Sequence, residues 1–378
     1  MIIEIRGTGF HNRGAELMLR AVVDHARNFD GQVLLASEPC GTYLARAELK
    51  LLQKTLRFRF RRAGVATLLM SKSFRRTYGM VRETEIDAVL DASGFAYTDQ
   101  WGPESCKSLL RDVQRWRTQG KKVVLLPQAF GPFSGSNNRE AFRRAVDEID
   151  LLYARDRQSL QYVHEIVGEC PSIRLAPDFT NLLPGAVPRN FQFEGPYACI
   201  VPNVRMIDKA SSEDAVRYMG LLRTCVTECI LAGLEPLLLL FATKADSTVA
   251  TELENGTGTV LRRVTDCNAA ELKGILGQSS MVVASRFHAI VCALSQGVPC
   301  IGTGWSHKYE ELFREYHCSE LLLRTDSGQD VIREQIGRIV DRHERGQLVA
   351  VLKDAAEDQK QAARLMWNEV DRLLGLEA

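Results

Sequence analysis

The stretch MVVASRFHAIVCALSQGVPC, residues 281–300, sets a guanidinium and an imidazole between two apolar runs. Ser285 is placed to cap a helix beginning near Phe287, with Arg286 and His288 in its first turn. A helix N-terminus, an arginine fork and an imidazole bind a phosphate or carboxylate far better together than singly. A cation at that end opposes the helix dipole, so the arrangement costs stability unless an anion neutralises it. The plainer alternative is that Arg286 pairs with a structural carboxylate and His288 is a hydrogen-bonded core histidine. The next strand closes on GTGWSHKYEEL (302–312), which offers His307 and Lys308 to the same place.

Other strand ends carry weaker signals. RGTGFHNRGAE (6–16) is a glycine-rich strand-to-helix turn with His11, Asn12 and Glu16 as its polar groups. Its glycines stand at 7, 9 and 14, so the G-x-G-x-x-G dinucleotide fingerprint fails by two residues. Glu38, after the second strand, is what keeps a nicotinamide cofactor in view, and that reading ranks last. DASGFAYTDQWG (91–102) and LLPQAFGPF (125–133) put Asp99 and Gln128 where a hydroxylated substrate could be held, although turn chemistry alone explains either loop. In YARDRQSL (153–160), Asp156 reads as a helix cap, which leaves Arg155 the more interesting of the two. IVPNVRM (200–206) adds Asn203 and Arg205 at the end of another strand.

The elements that must position these groups alternate regularly. IIEIR (2–6), QVLLAS (32–37), DAVLDAS (87–93), KVVLLPQ (122–128) and DLLYAR (150–155) read as strands, with helical patterns at 14–28, 104–119 and 137–148. Segment 40–85 is arginine-rich and weakly patterned, and reads as a helical insertion or mobile loop. PGAVPRNFQFEGP (184–196) has the prolines and glycines of a linker. Beyond it come YACIVPNV (197–204), EPLLLLF (235–241), MVVAS (281–285) and VPCIGTG (298–304), and a charged amphipathic helix over 349–375 ends the chain. The pattern predicts an α/β protein of two Rossmann-like domains, 1–186 and 197–378, facing a cleft, with ligands beyond the carboxyl ends of the strands.

Composition excludes several classes. The 378 residues carry 48 basic and 47 acidic side chains, a balance without the basic excess of a nucleic-acid binder. The ten cysteines contain no C-x-x-C, and no carboxylate cluster of Mg²⁺ type stands out, so no metal is expected. Cys225 and Cys229 fall in an apolar helical pattern and read as core. Glu4 and Arg6 interrupt the apolar core that a signal peptide needs, and free thiols at this density suit a reducing cytosol, so the expected location is cytoplasmic.

Taken in order, these elements resemble the polysaccharide pyruvyl transferase family. The family's Asn-x-Gly-Asp element is Asn12-Arg13-Gly14-Ala15-Glu16 here, and its Pro-Gln-x-x-Gly-Pro-Phe loop is Pro127 to Phe133. Its Arg-Asp-x-x-Ser element is Arg155, Asp156 and Ser159, and its Pro-Asp is Pro177-Asp178. Its most specific signature is Ser285, Arg286, His288 and Ala289, then Gly297-Val298-Pro299 and Lys308. Glu16 and Phe287 depart from the Asp and Leu more usual in the family. The arginine-rich segment 40–85 has no family counterpart and leaves the acceptor open.

The resemblance implies a GT-B-like fold and transfer of a pyruvyl group from phosphoenolpyruvate to a glycan or lipid-linked sugar, with no cofactor beyond that donor. It also allows association with a membrane through the acceptor. It implies that Arg286 and His288 bind the donor, with Lys308 a second phosphate partner and either Arg155 or Arg205 assisting. Asn12, Glu16, Gln128 and Ser285 are the remaining expected contacts. His288 serves either as a phosphate donor or as the acid for the donor's methylene carbon, and Asp99 or Glu16 as the base. Two rivals stand beside this reading: a glycosyltransferase using a nucleotide sugar, and a non-catalytic glycan-binding relative.

Overall fold

The computed structural model of the chain describes residues 1–55 and 70–376. They form two compact units. One comprises Met1–His11, Met18–Phe179 and the chain from Ala362 onward; the other comprises Asn12–Leu17 and Thr180–Gln361.

The first unit is built on an all-parallel sheet of β1 (Ile2–Arg6), β2 (Leu34–Ser37), β3 (Leu52–Lys54), β4 (Met80–Val81), β5 (Ala88–Asp91), β6 (Lys122–Gln128), β7 (Leu151–Ala154) and β8 (Ile173–Leu175). Its strand order is β4-β3-β2-β1-β5-β6-β7-β8. Every residue of β5 and β7 is buried, as is all of β6 beyond Lys122, which is why these strands read as unbroken apolar runs. The order turns back between β1 and β5, which makes their carboxyl ends the switch point of this sheet. Gly7 sits there at φ +74°, where a Cβ would come within 2.5 Å of the Ser93 Cα. The two strand ends therefore approach each other only because Gly7 has no side chain.

Segment 40–85 departs from its expected form. Its described flanks hold the short helices Tyr43–Glu48 and Lys72–Thr77, and also β3 and β4, which extend the sheet. Strands of two or three residues leave no periodic signature. The central part of that arginine-rich run, residues 56–69, lies outside the described residues.

The second unit has a parallel sheet of β9 (Tyr197–Val201), β10 (Glu235–Leu239), β11 (Arg262–Val264), β12 (Met281–Ala284) and β13 (Cys300–Gly302), in the order β11-β10-β9-β12-β13. Its switch point falls between β9 and β12, where Ala284 pairs with Val201. The turn carrying Arg286 and His288 leaves the sheet at that point.

The final helix, Arg342–Leu374, was expected wholly within the second domain, yet its last turns cluster with the first unit. Ala363, Met366, Trp367, Val370 and Leu374 form its buried stripe. Trp367 stacks on His25 at 4.0 Å, His25 Nε2 meets Asp371 Oδ1 at 2.8 Å, and the Tyr153 hydroxyl donates to Glu369 at 2.6 Å. Among the described residues no helix is long and apolar enough to cross a membrane, and no group of three or more His, Cys, Asp or Glu is placed to hold a metal ion.

Candidate active site

In the second unit the switch point is braced by side chains. Asn203, buried just beyond β9, donates through Nδ2 to the Ser285 carbonyl at 2.9 Å and takes the Arg205 N–H on Oδ1 at 3.1 Å. The Tyr309 hydroxyl donates to the same Ser285 carbonyl at 3.1 Å. The Tyr218 hydroxyl accepts the Asn203 N–H at 3.0 Å, and burial pushes its pKa up to about 12, so the phenol keeps its proton. The helix Phe287–Leu294 starts as expected, but Arg286 rather than Ser285 occupies its N-cap, and no side chain caps it. Ser285 is fully buried behind that turn.

The helix-start cation is neutralised from within the protein. Arg286 donates through Nε to Asp246 Oδ2 at 3.1 Å and through Nη2 to Oδ1. Asp246, in the helix Thr243–Thr257, is 0% exposed, and the Arg286 side chain 13%. The plainer expectation for Arg286, a structural carboxylate partner, is thus what the fold contains. The pairing uses the side edge of the fork, two of the five N–H donors of a guanidinium. Sequence inspection of strand ends passed over FATKAD, the segment after β10 that carries this acid. Its position at a strand's carboxyl end was the signal that could have found it.

Gly14 packs directly on His288. A Cβ at Gly14 would lie 2.7 Å from the His288 Nδ1 and 3.2 Å from its Cγ. The first helical turn is pinned there, with the Arg13 N–H donating to the Phe241 carbonyl at 3.0 Å and the Gly14 N–H to Asn12 Oδ1 at 3.0 Å. Glu16, in the same turn, is buried and accepts from Arg13 Nη1 at 2.5 Å. Asn12, Glu16, Arg286 and His288 belong to one unit although at least 270 positions separate the first two from the last two. Lys308 joins them: it is buried, its Nζ 5.3 Å from the Phe287 ring centroid, 5.9 Å from Trp305 and 5.5 Å from Tyr309. Arg205 is half exposed and bound to Asp208 at 2.5 Å.

The remaining expected residues belong to the first unit and are already engaged. Asp99 Oδ2 accepts from the Ser134 N–H and hydroxyl, both at 2.6 Å, and Oδ1 from Asn138 at 3.0 Å. Burial acts to raise its pKa, but these bonds hold it below the ordinary aspartate value. A carboxylate so held is a weaker proton acceptor than a free aspartate. Above the unfolded pKa the Asp99 contribution to stability is complete, and it is lost as the pH falls through the lower folded value. Asp99→Asn should therefore unfold more readily than wild type at neutral pH, with the gap closing in acid; urea titrations at several pH values measure it.

Gln128 is fully buried at the end of β6, with Nε2 donating to the Asp91 carbonyl at 3.4 Å and no partner for Oε1 among the described residues. Arg155, expected as a donor contact, is buried and bonded to buried Asp178 at 3.1 Å, tying the end of β7 to the turn after β8. Breaking a buried pair costs about 3–5 kcal/mol, so Arg155→Met should lower the urea midpoint sharply. A purely ligand-binding Arg155 would leave that midpoint unchanged. Asp156 caps its helix through the Ser159 N–H at 2.7 Å, as expected. Sequence reasoning missed Asp91, which is fully buried at the switch point of this sheet. It accepts from the Tyr97 hydroxyl at 2.7 Å and lies 4.0 Å from Arg6. Burial and then Asp91 push the Tyr97 pKa far up.

A profile of the polysaccharide pyruvyl transferase family matches residues 12–307. No curated protein matches the sequence. Among solved structures, HepE of Anabaena in complex with UDP is 13% identical, with a TM-score of 0.59, over 99% of this chain and 100% of its own. A putative UDP-N-acetylglucosamine 2-epimerase of Listeria monocytogenes is 11% identical, with a TM-score of 0.62, over 99% and 96%. The UDP-GlcNAc 2-epimerase of Neisseria meningitidis bound to UDP-GlcNAc is 8% identical, with a TM-score of 0.61, over 98% and 99%. Identities this low carry the fold alone, and that fold is GT-B-like.

Proposed function

Because the chain belongs to the polysaccharide pyruvyl transferase family, we propose that it moves the pyruvyl carbons of phosphoenolpyruvate onto two hydroxyls of a sugar as a cyclic ketal. The observation that carries the reading is the gathering of Arg286, His288 and Lys308 around the β9/β12 switch point, with Gly14 packed on the imidazole. A guanidinium, an imidazole, an ammonium and the start of an eight-residue helix suit a small, highly charged anion.

The chemistry balances without a redox partner. A proton adds to C3 of phosphoenolpyruvate, leaving an electron-poor C2. A sugar hydroxyl bonds to C2 and gives up its proton. The C2–O bond to phosphate breaks with its electron pair, and inorganic phosphate departs. A second hydroxyl then closes on C2 and loses the last proton. Arg286 and Lys308 hold the anionic donor and balance charge on the departing phosphate. His288 is the group we assign to deliver the proton to C3 or to the leaving oxygen. Asp99 and Glu16 are both engaged carboxylates, the first on Ser134 and Asn138 and the second on Arg13, and we assign the hydroxyl proton to Glu16 because it belongs to the same unit as Arg286 and His288.

The acceptor in this reading is a polysaccharide or its lipid-linked precursor, modified in the cytoplasm where the donor is made. The test is incubation with phosphoenolpyruvate and a panel of glycan acceptors, reading phosphate release together with a ketal-bearing product by mass spectrometry. Both signals together support the proposal. Release of UDP from a UDP-sugar, with no phosphate from phosphoenolpyruvate, would replace it with glycosyl transfer.

A further inference from the structure

Asp246 touches three strand-end loops at once. Its Oδ1 accepts the Val204 N–H at 3.1 Å, from the loop after β9, and Arg286 Nη2, from the turn after β12. Its Oδ2 accepts the Ala242 N–H at 2.9 Å, from the loop after β10, and Arg286 Nε at 3.1 Å. A carboxylate offers about four lone-pair sites, and all four are taken. Asp246 is also 0% exposed. Substrate, metal and proton transfer are therefore closed to it. What remains is its effect on Arg286.

That effect is geometric. The guanidinium is planar with its donors in a fixed fork, so two bonds along the Nε–Nη2 edge fix the plane and its rotation. The three other N–H groups, two on Nη1 and one on Nη2, keep a fixed direction, and among the described residues the Arg286 side chain bonds only Asp246. The backbone N–H groups of Val204 and Ala242 hold the carboxylate from the other side, so the fork is anchored to the sheet and not to a mobile side chain.

We propose that Asp246 is a positioning residue for the donor anion, orienting the end edge of the Arg286 fork toward it; the inference rests on the assignment of Arg286 to that anion. Ordering the fork in advance removes the loss of side-chain freedom that binding would otherwise carry. Because the pair is neutral as a whole, what it offers the anion is directed N–H groups and not net charge.

The test is a double-mutant cycle read by calorimetry with phosphoenolpyruvate and, separately, with inorganic phosphate. The four proteins are wild type, Asp246→Asn, Arg286→Lys and the double variant. The asparagine can still accept a backbone N–H but presents a donor to the guanidinium; the lysine keeps the charge but has no fork to orient. Asp246→Asn should weaken the anion about 10-fold beside Arg286 and less than about 2-fold beside Lys at that position. A role confined to loop structure predicts equal losses in both backgrounds, which would overturn the proposal. If Asp246→Asn does not fold, Asp246→Glu keeps the charge and shifts the fork; unchanged anion affinity in a folded Asp246→Glu protein overturns it as well. Phosphate binding that shows the coupling without phosphoenolpyruvate binding keeps Asp246 in its role and rejects the donor. Binding of neither anion to wild type rejects both.

Discussion

Arg286→Ala is expected to weaken phosphoenolpyruvate binding and to destabilise the second unit at the same time. The two losses have separate causes. Hydrogen bonds to charged groups contribute about 1.5–3 kcal/mol each, so losing one or two from the donor weakens binding by about 10-fold at the least. The alanine also leaves the Asp246 carboxylate buried with only the Val204 and Ala242 N–H groups for company. Removing one partner of a buried pair costs about 3–5 kcal/mol, because the stranded charge stays out of water. Thermal melting and calorimetry on the same preparation separate the effects. A variant that melts early yet binds phosphoenolpyruvate like wild type would make Arg286 a purely structural cation.

Gly14→Ala should do the opposite, sparing the fold and damaging activity. Gly14 has an ordinary helical conformation, so its lack of a side chain is not demanded by the backbone. Alanine in a helix is favoured over glycine by about 1 kcal/mol, which works toward stability. Against this stands a Cβ placed 2.7 Å from the His288 Nδ1, too close for both atoms. The clash falls on a side chain and not on backbone, so a shift of His288 as a whole relieves it. A catalytic group displaced by about 1 Å can cost about 100-fold in rate. The expected outcome is a melting temperature near wild type with kcat/KM lowered about 100-fold. Full activity in Gly14→Ala would remove His288 from the chemistry.

Much of this arrangement was legible before any coordinates. The strand KVVLLPQ and the helix start at Phe287 fall where periodicity puts them, because buried parallel strands and an apolar helix leave strong signals. Arg286 stands out since a cation at a helix start breaks the local rule, with His288 beside it and Lys308 at the close of the next strand. Asp246 did not stand out, because an acid in a helix's first turn obeys the dipole rule and draws no notice. The contact of Gly14 with His288 joins residues too far apart for any local pattern to record. The engagement of Asp99 left no local signal for a related reason. A loop aspartate after a strand looks available until the Ser134 and Asn138 donors that occupy it are seen.

The most direct measurement is calorimetry of phosphoenolpyruvate with wild type and with His288→Ala, which leaves the Arg286–Asp246 pair in place, and of a UDP-sugar with wild type alone. The account predicts saturable phosphoenolpyruvate binding to wild type, clearly weakened in His288→Ala, and no heat from the UDP-sugar. Saturable binding of the UDP-sugar with none of phosphoenolpyruvate, or phosphoenolpyruvate binding untouched in a folded His288→Ala protein, would contradict it.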